Sequence, residues 1–118
     1  MTRMVIKATS GADNAESCVM AFTVASTAVA SGHDVSLWLT GEATLFAIPG
    51  TEDLTIPHSL PLSTLRDVVL DGGSITVCGQ CAERRNITGE DLLPGIRLAG
   101  AASFVEEVAA GDARVLVY

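Results

Sequence analysis

The feature that most restricts the fold is a regular exchange of short apolar runs with longer segments of helical spacing. Residues 4–9 are short and largely apolar, and Ser10, Gly11, Ala12, Asp13 and Asn14 follow, a cluster that ends strands and caps helices. Over residues 15–31, Cys18, Phe22, Ala25 and Val29 recur every three or four positions with Val19 beside them, and Gly32 stands where a left-handed residue closes a helix. The exchange then repeats. Residues 35–39 read as a strand, Thr40-Gly41-Glu42 opens a short helical stretch through Phe46, and an irregular loop covers residues 49–60. Residues 61–70 place Leu62, Leu65 and Val69 on one helical face, residues 74–78 form a third strand, and a polar helical turn surrounds residues 82–85. A short strand at 96–98, a helix at 101–110 and a last strand at 113–118 complete the order. Such alternation predicts a three-layer α/β/α domain with a mostly parallel five-stranded sheet and right-handed crossovers. Residues 1–118 read as a single domain, without internal repeat or interdomain linker.

Charge narrows the partners. Seven Lys and Arg against 14 Asp and Glu give a formal charge of −7, and Arg84-Arg85 is the one basic pair. No run of cations is available to displace phosphate counterions, so nucleic acid is not an expected partner. No apolar stretch reaches the ~18–20 residues needed to cross a bilayer, and residues 1–5 lack the apolar region of a signal peptide. Membrane is therefore not an expected partner, and the location expected is cytoplasmic. Three cysteines, an odd number, suit a reducing compartment better than a disulfide framework. A mean hydropathy of +0.41 is high for so short a chain, and self-association would cover the excess.

In an open parallel sheet, ligands bind where the strand-to-helix loops emerge. Ser10 to Asn14, Thr40 to Glu42, and Cys78 to Cys81 all follow strands and converge on that edge, whereas His33 precedes a strand and belongs to the opposite one. Cys78-Gly79-Gln80-Cys81 is the strongest signal. With the third strand ending at Cys78 and a helix starting near Gly79 or Gln80, the Cys78 sulfur faces unpaired N–H groups and the positive end of the helix dipole, which favour a thiolate. Arg84 or Arg85 adds positive potential, partly offset by Glu83. Gly79 leaves the backbone free to turn and lets a substrate approach closely.

Each of these residues also has a plainer reading. A cysteine at a strand end is often a small buried hydrophobe, and Cys18, on the apolar face of the first helix, reads as core. Zinc usually takes four Cys or His ligands, and this chain offers one pair plus His58, so no metal or cofactor is expected. Thioredoxin-type motifs follow an early strand in an aromatic-Cys-Gly-Pro-Cys setting, which Val77 and the late position here do not match. The segment from Thr9 to Asn14 resembles a flavodoxin phosphate loop only weakly, since Asp13 would repel a phosphate; Asp13 or Asn14 reads better as a helix cap. His58 can supply a proton near neutral pH if its loop folds over the cysteine. Glu42 stabilises a helix start or lines the pocket.

The run from Ile75 through Cys78-Gly79-Gln80-Cys81-Ala82-Glu83-Arg84-Arg85 to Ile87 resembles the strand-Cys-helix segment of the DsrE/DsrF-like family of small sulfur-relay proteins. Gly32-His33-Asp34-Val35, Gly41-Glu42-Ala43, and Gly95-Ile96 through Gly100-Ala101 agree with it. The resemblance implies a five-stranded parallel α/β/α fold, cytoplasmic location and assembly into homotrimers or hexamers. It also implies a cysteine at the position of Cys78 that accepts sulfane sulfur as a persulfide from a donor protein and passes it to an acceptor. Cys81 is additional to the one-cysteine carriers, and is placed to resolve the product as a disulfide or to hand the sulfur onward. The expected site is Cys78 and Cys81, with Gly79, Gln80, Arg84, Glu42, Asp13 and His58 around the substrate. Two other readings stay open: a non-catalytic oligomeric module binding a small ligand, and a dithiol redox protein.

Overall fold

The computed structural model describes residues 2–118; Met1, the first residue of the expected domain, lies outside the described residues. Five parallel strands, β1 (Arg3–Ala8), β2 (Asp34–Leu39), β3 (Ser74–Cys78), β4 (Arg97–Ala99) and β5 (Ala113–Val117), form one sheet in the order β4-β3-β2-β1-β5. Four helices connect them: α1 (Ala15–Ala30), α2 (Leu62–Gly72), α3 (Gly79–Arg84) and α4 (Ala101–Val108). The chain steps one way from β1 to β4 and then crosses to the far side of β1. With right-handed crossovers, that reversal sends α4 to the face opposite α1 and α2.

Strand alternation divides the apolar load. Ile6, Ala8, Val35, Leu37, Leu39, Ile75 and Val77 point to the α1/α2 face and pack with Phe22, Ala25, Leu62, Leu65 and Val69 in the main core. Each such large aliphatic side chain contributes about 1.5–3 kcal/mol when withdrawn from water. The other face is more polar. Buried Ser36 and Thr76 lie there with Trp38, whose ring meets Phe104 of α4 edge-on at 5.3 Å. Glu107 of α4 reaches the strands: one carboxylate oxygen accepts from Ser36 Oγ at 2.5 Å and Arg3 at 3.2 Å, the other from Arg97 at 2.8 Å. Arg97 also donates to Thr76 Oγ1 at 2.7 Å. Burial opposes ionisation of Glu107, but the donors Ser36 and Trp38 and then Arg3 outweigh it and hold the carboxyl below its ordinary value. The Trp38 indole lies near that carboxylate without closing a hydrogen bond of normal geometry.

Helix ends follow local chemistry. Asn14 caps α1 by accepting from Ser17 N–H, and Gly32 takes φ 87° just beyond its end, as its position predicts. α2 runs two residues past the expected end, through Gly72. A Cβ at position 72 would sit 2.5 Å from Val29 Cγ1, so the missing side chain lets α1 and α2 approach. The last helix stops at Val108 rather than at residue 110, and β4 starts at Arg97 rather than Ile96.

Candidate functional site at the end of strand three

β3 delivers Cys78 to the carboxyl edge of the sheet, and the chain turns at once into α3, with Cys78 as its N-terminal cap at φ −63°, ψ 121°. Extended φ/ψ at the cap and helical φ/ψ after it aim the first N–H groups of α3 back at the sulfur. Burial works against ionising Cys78, but the nearby Cys81 N–H, Cys81 thiol and Gln80 N–H, together with the charge of Arg84, outweigh it and lower its pKa, although none of them closes a capping hydrogen bond to the sulfur. Cys78 and Cys81 are both half-buried residues, in contrast to the buried Cys18. The exposed Arg84 guanidinium reaches Cys81 Sγ at 3.9 Å.

The neighbouring arginine has a different task. Arg85 Nε donates to Glu42 Oε2 at 2.9 Å, and its other arm donates to the Cys81 carbonyl at 3.0 Å. Glu42 lies on a 3-10 turn, Gly41–Ala47, that follows β2. Sheet order makes β2 and β3 neighbours, so their exit turns meet and the ion pair fastens α3 to the turn beside it. Glu42 is thus a clamp for the cysteine helix. The sequence shows both charges but not their pairing; the signal is one acidic and one basic residue just beyond adjacent parallel strands.

Gly79 is not needed for the turn, contrary to expectation. Its φ lies outside the left-handed range, and a Cβ there would meet only the Ala99 carbonyl at an ordinary 3.6 Å. The backbone does not need glycine at this point. Gly79 and Gln80 line a cavity of about 650 Å3 with Glu83, Asn86, Thr88 and Leu98.

Asp13 turns back on its own loop, accepting from Gly11 N–H at 2.7 Å, while Asn14 is the residue that caps α1. His58, at φ 63°, lines a separate cavity of about 610 Å3 with Glu16, Met20, Thr23, Leu60 and Val68. No residue of the cysteine segment lines that cavity, so the fold does not bring His58 and the sulfurs together in it. Cys18 is core, as its helical position predicts: it is 1% exposed, and burial, then the charge of Asp13, pushes its pKa up to about 12. His33 stands on the turn entering β2, at the opposite edge from Cys78. Among the described residues, no group of three His, Cys, Asp or Glu side chains is gathered to hold a metal ion.

Ligands in open α/β sheets usually sit where the strand order reverses. Here the reversal falls between β1 and β5, and Thr9 closes it by donating to the Tyr118 carbonyl from both N (3.0 Å) and Oγ1 (2.7 Å). The open chemistry lies two strands away, over β2 and β3.

Fold and site together define a small parallel α/β protein with a half-buried, ionisation-prone cysteine at a strand-to-helix junction. The chain belongs to the DsrE/DsrF-like family, whose profile matches residues 3–117. A protein of Methanopyrus kandleri, the uncharacterized protein MK0008, is 27% identical over 97 residues, covering 82% of this chain and 78% of that one. The fold is similar to the crystal structure of the ychN protein from E. coli, with TM-score 0.83, 18% identity and full coverage of both chains. It is also similar to the protein of unknown function MTH1491 from Methanobacterium thermoautotrophicum, with TM-score 0.76, 10% identity and full coverage of both. Among the described residues, no helix is long and apolar enough to cross a membrane.

Proposed function

We propose that this chain carries sulfane sulfur as a persulfide on Cys78. The observation that carries the reading is the half-buried Cys78 capping α3, with the Gln80 and Cys81 N–H groups and the Arg84 charge beside it to lower its pKa. Membership of a family with a sulfur-relay fold supports it. The Cys78 thiolate attacks the outer sulfur of a donor persulfide; the new S–S bond forms as the donor's own S–S bond breaks, and the donor leaves as a thiolate. Gly79 and Gln80 border the approach, and Arg84 offsets the negative charge on the incoming and loaded sulfur. Glu42 acts indirectly, through Arg85.

Donor and acceptor are other proteins, and the carrier itself assembles as a homotrimer or hexamer. Val105, Val115 and Val117, exposed on the α4 side of the sheet, supply the apolar surface for that assembly. The cavity beside α3 favours one second reading, in which the chain binds a small ligand there without sulfur chemistry.

The decisive experiment is intact-protein mass spectrometry after exposure to inorganic polysulfide and desalting. A species heavier by one sulfur atom is expected on Cys78, and is absent in Cys78→Ser. No such species on any variant that keeps Cys78 overturns the carrier reading and leaves the ligand-binding one.

A further inference from the structure

Cys78 and Cys81 are the cap and third residue of one short helix, on the same side of its first turn. Side chains three apart on a helix have Cβ atoms about 5–6 Å apart, and a disulfide needs about 3.5–4.5 Å. Closure therefore asks for a shift of about 1–2 Å in a six-residue helix. The cysteines are free in this structure. Arg84 meets Cys81 Sγ at 3.9 Å, so negative charge developing at this pair of sulfurs faces a cation.

We propose that Cys81 discharges the loaded carrier as hydrosulfide, so that the protein releases sulfide whenever no acceptor takes the sulfur. This rests on the persulfide reading above. The Cys81 thiolate attacks Cys78 Sγ, the inner sulfur of the persulfide. The Cys78–Cys81 bond forms, the bond from Cys78 Sγ to the outer sulfur breaks, and the outer sulfur leaves with the electron pair as HS⁻. The two cysteines together lose two electrons and the sulfane sulfur gains two; the Cys81 proton passes to solvent or to the leaving sulfide. A dithiol reductant then reopens the disulfide by two exchanges, and is itself oxidised to a disulfide.

Attack on the outer sulfur moves the persulfide to Cys81, and the return step is equally open. Attack on the inner sulfur is drawn forward by loss of hydrosulfide. Proximity favours it, because the attacking group is already held beside its target.

The test loads wild type and Cys81→Ser with inorganic polysulfide, removes excess donor by desalting, and follows intact mass and trapped sulfide without reductant. In wild type the one-sulfur adduct is expected to live at least about tenfold less long than in Cys81→Ser. It should give way to a species two hydrogens lighter than the dithiol, with one sulfide per disulfide. An equally long-lived adduct in both proteins, or a disulfide without matching sulfide, overturns the discharge and leaves the carrier standing. No adduct on either protein overturns the carrier reading, and the discharge with it. Repeating the comparison with Cys81→Ala excludes a contribution from the serine hydroxyl: the adduct must persist there too, and its rapid loss counts against Cys81.

Discussion

Alkylation separates the sulfurs of this protein, and the separation can be worked out in advance. At pH 7, iodoacetamide should label Cys78 faster in the folded protein than in the chain unfolded in guanidinium, because folding lowers its pKa and more of the sulfur is ionised. Cys18 should behave in the opposite way. Its proton is held up to about 12 against an ordinary 9.0, which makes its thiolate about a thousandfold scarcer at neutral pH. A more basic thiolate is also a better nucleophile, and a Brønsted slope of about 0.4–0.5 returns a factor of about 20. Ionisation alone therefore slows Cys18 by about 50-fold. Access slows it further, since a sulfur 1% exposed must wait for local opening. Timed pulses between about pH 6 and 9, followed by acid quench, proteolysis and mass spectrometry, give a rate for each site. The Cys78 rate should level off at a lower pH than in the unfolded chain. A Cys78 profile at or above the unfolded one, or Cys18 labelling within about tenfold of Cys78, would refute the reasoning.

Other perturbations test other parts of the molecule. Arg84→Gln should move the Cys78 alkylation profile toward higher pH without unfolding the protein, because Arg84 is exposed and its charge helps hold the thiolate; the same pulses measure it. Glu107→Ala should cost about 2–4 kcal/mol in urea melts, as Ser36, Arg3 and Arg97 lose their shared acceptor. The lower end is expected, since Arg97 is 53% exposed. Because the folded protein holds Glu107 below its ordinary value, its contribution is present above about pH 4.5 and is lost as pH falls through the lower folded value; an acid series of melts should show less of this slope in the variant. Gly72→Ala should destabilise by about 1–3 kcal/mol through the clash with Val29, less what better helix propensity returns. Adding Val29→Ala should recover part of the loss in thermal melts.

The order of elements is written plainly in the chain, because the strands are short runs rich in apolar residues and α1 and α2 carry their buried faces at helical spacing. The third strand and the cysteine helix fall at their expected places for that reason, and so does the Gly32 turn. The two extra residues of α2 are not legible, since Gly72 reads locally as a stop, and only the neighbouring Val29 makes glycine an interior requirement. The candidate site divides in the same way. A C-x-x-C at a strand-to-helix junction announces Cys78 and Cys81, whereas the Glu42–Arg85 clamp depends on which exit turns become neighbours. Loop placement is harder still. Nothing local in residues 49–60 says that His58 will line a cavity beside α1 and α2. Glu107 gives the faintest signal: Ser36, which donates to it, and Thr76, which accepts from its partner Arg97, are polar residues inside otherwise apolar strands, spaced so that both face α4.

The pairing of Arg3 with Ala113 joins the first strand to the last across nearly the whole chain. Until that distant segment arrives, β1 has a partner on one side and a bare row of amides and carbonyls on the other. Closing so long a loop is among the slower events in assembly, and an open row of this kind recruits any extended peptide that passes. A newly made or partly melted copy is therefore most exposed to aggregation along β1, and a short peptide copying residues 113–117 should act as a decoy for that edge during refolding.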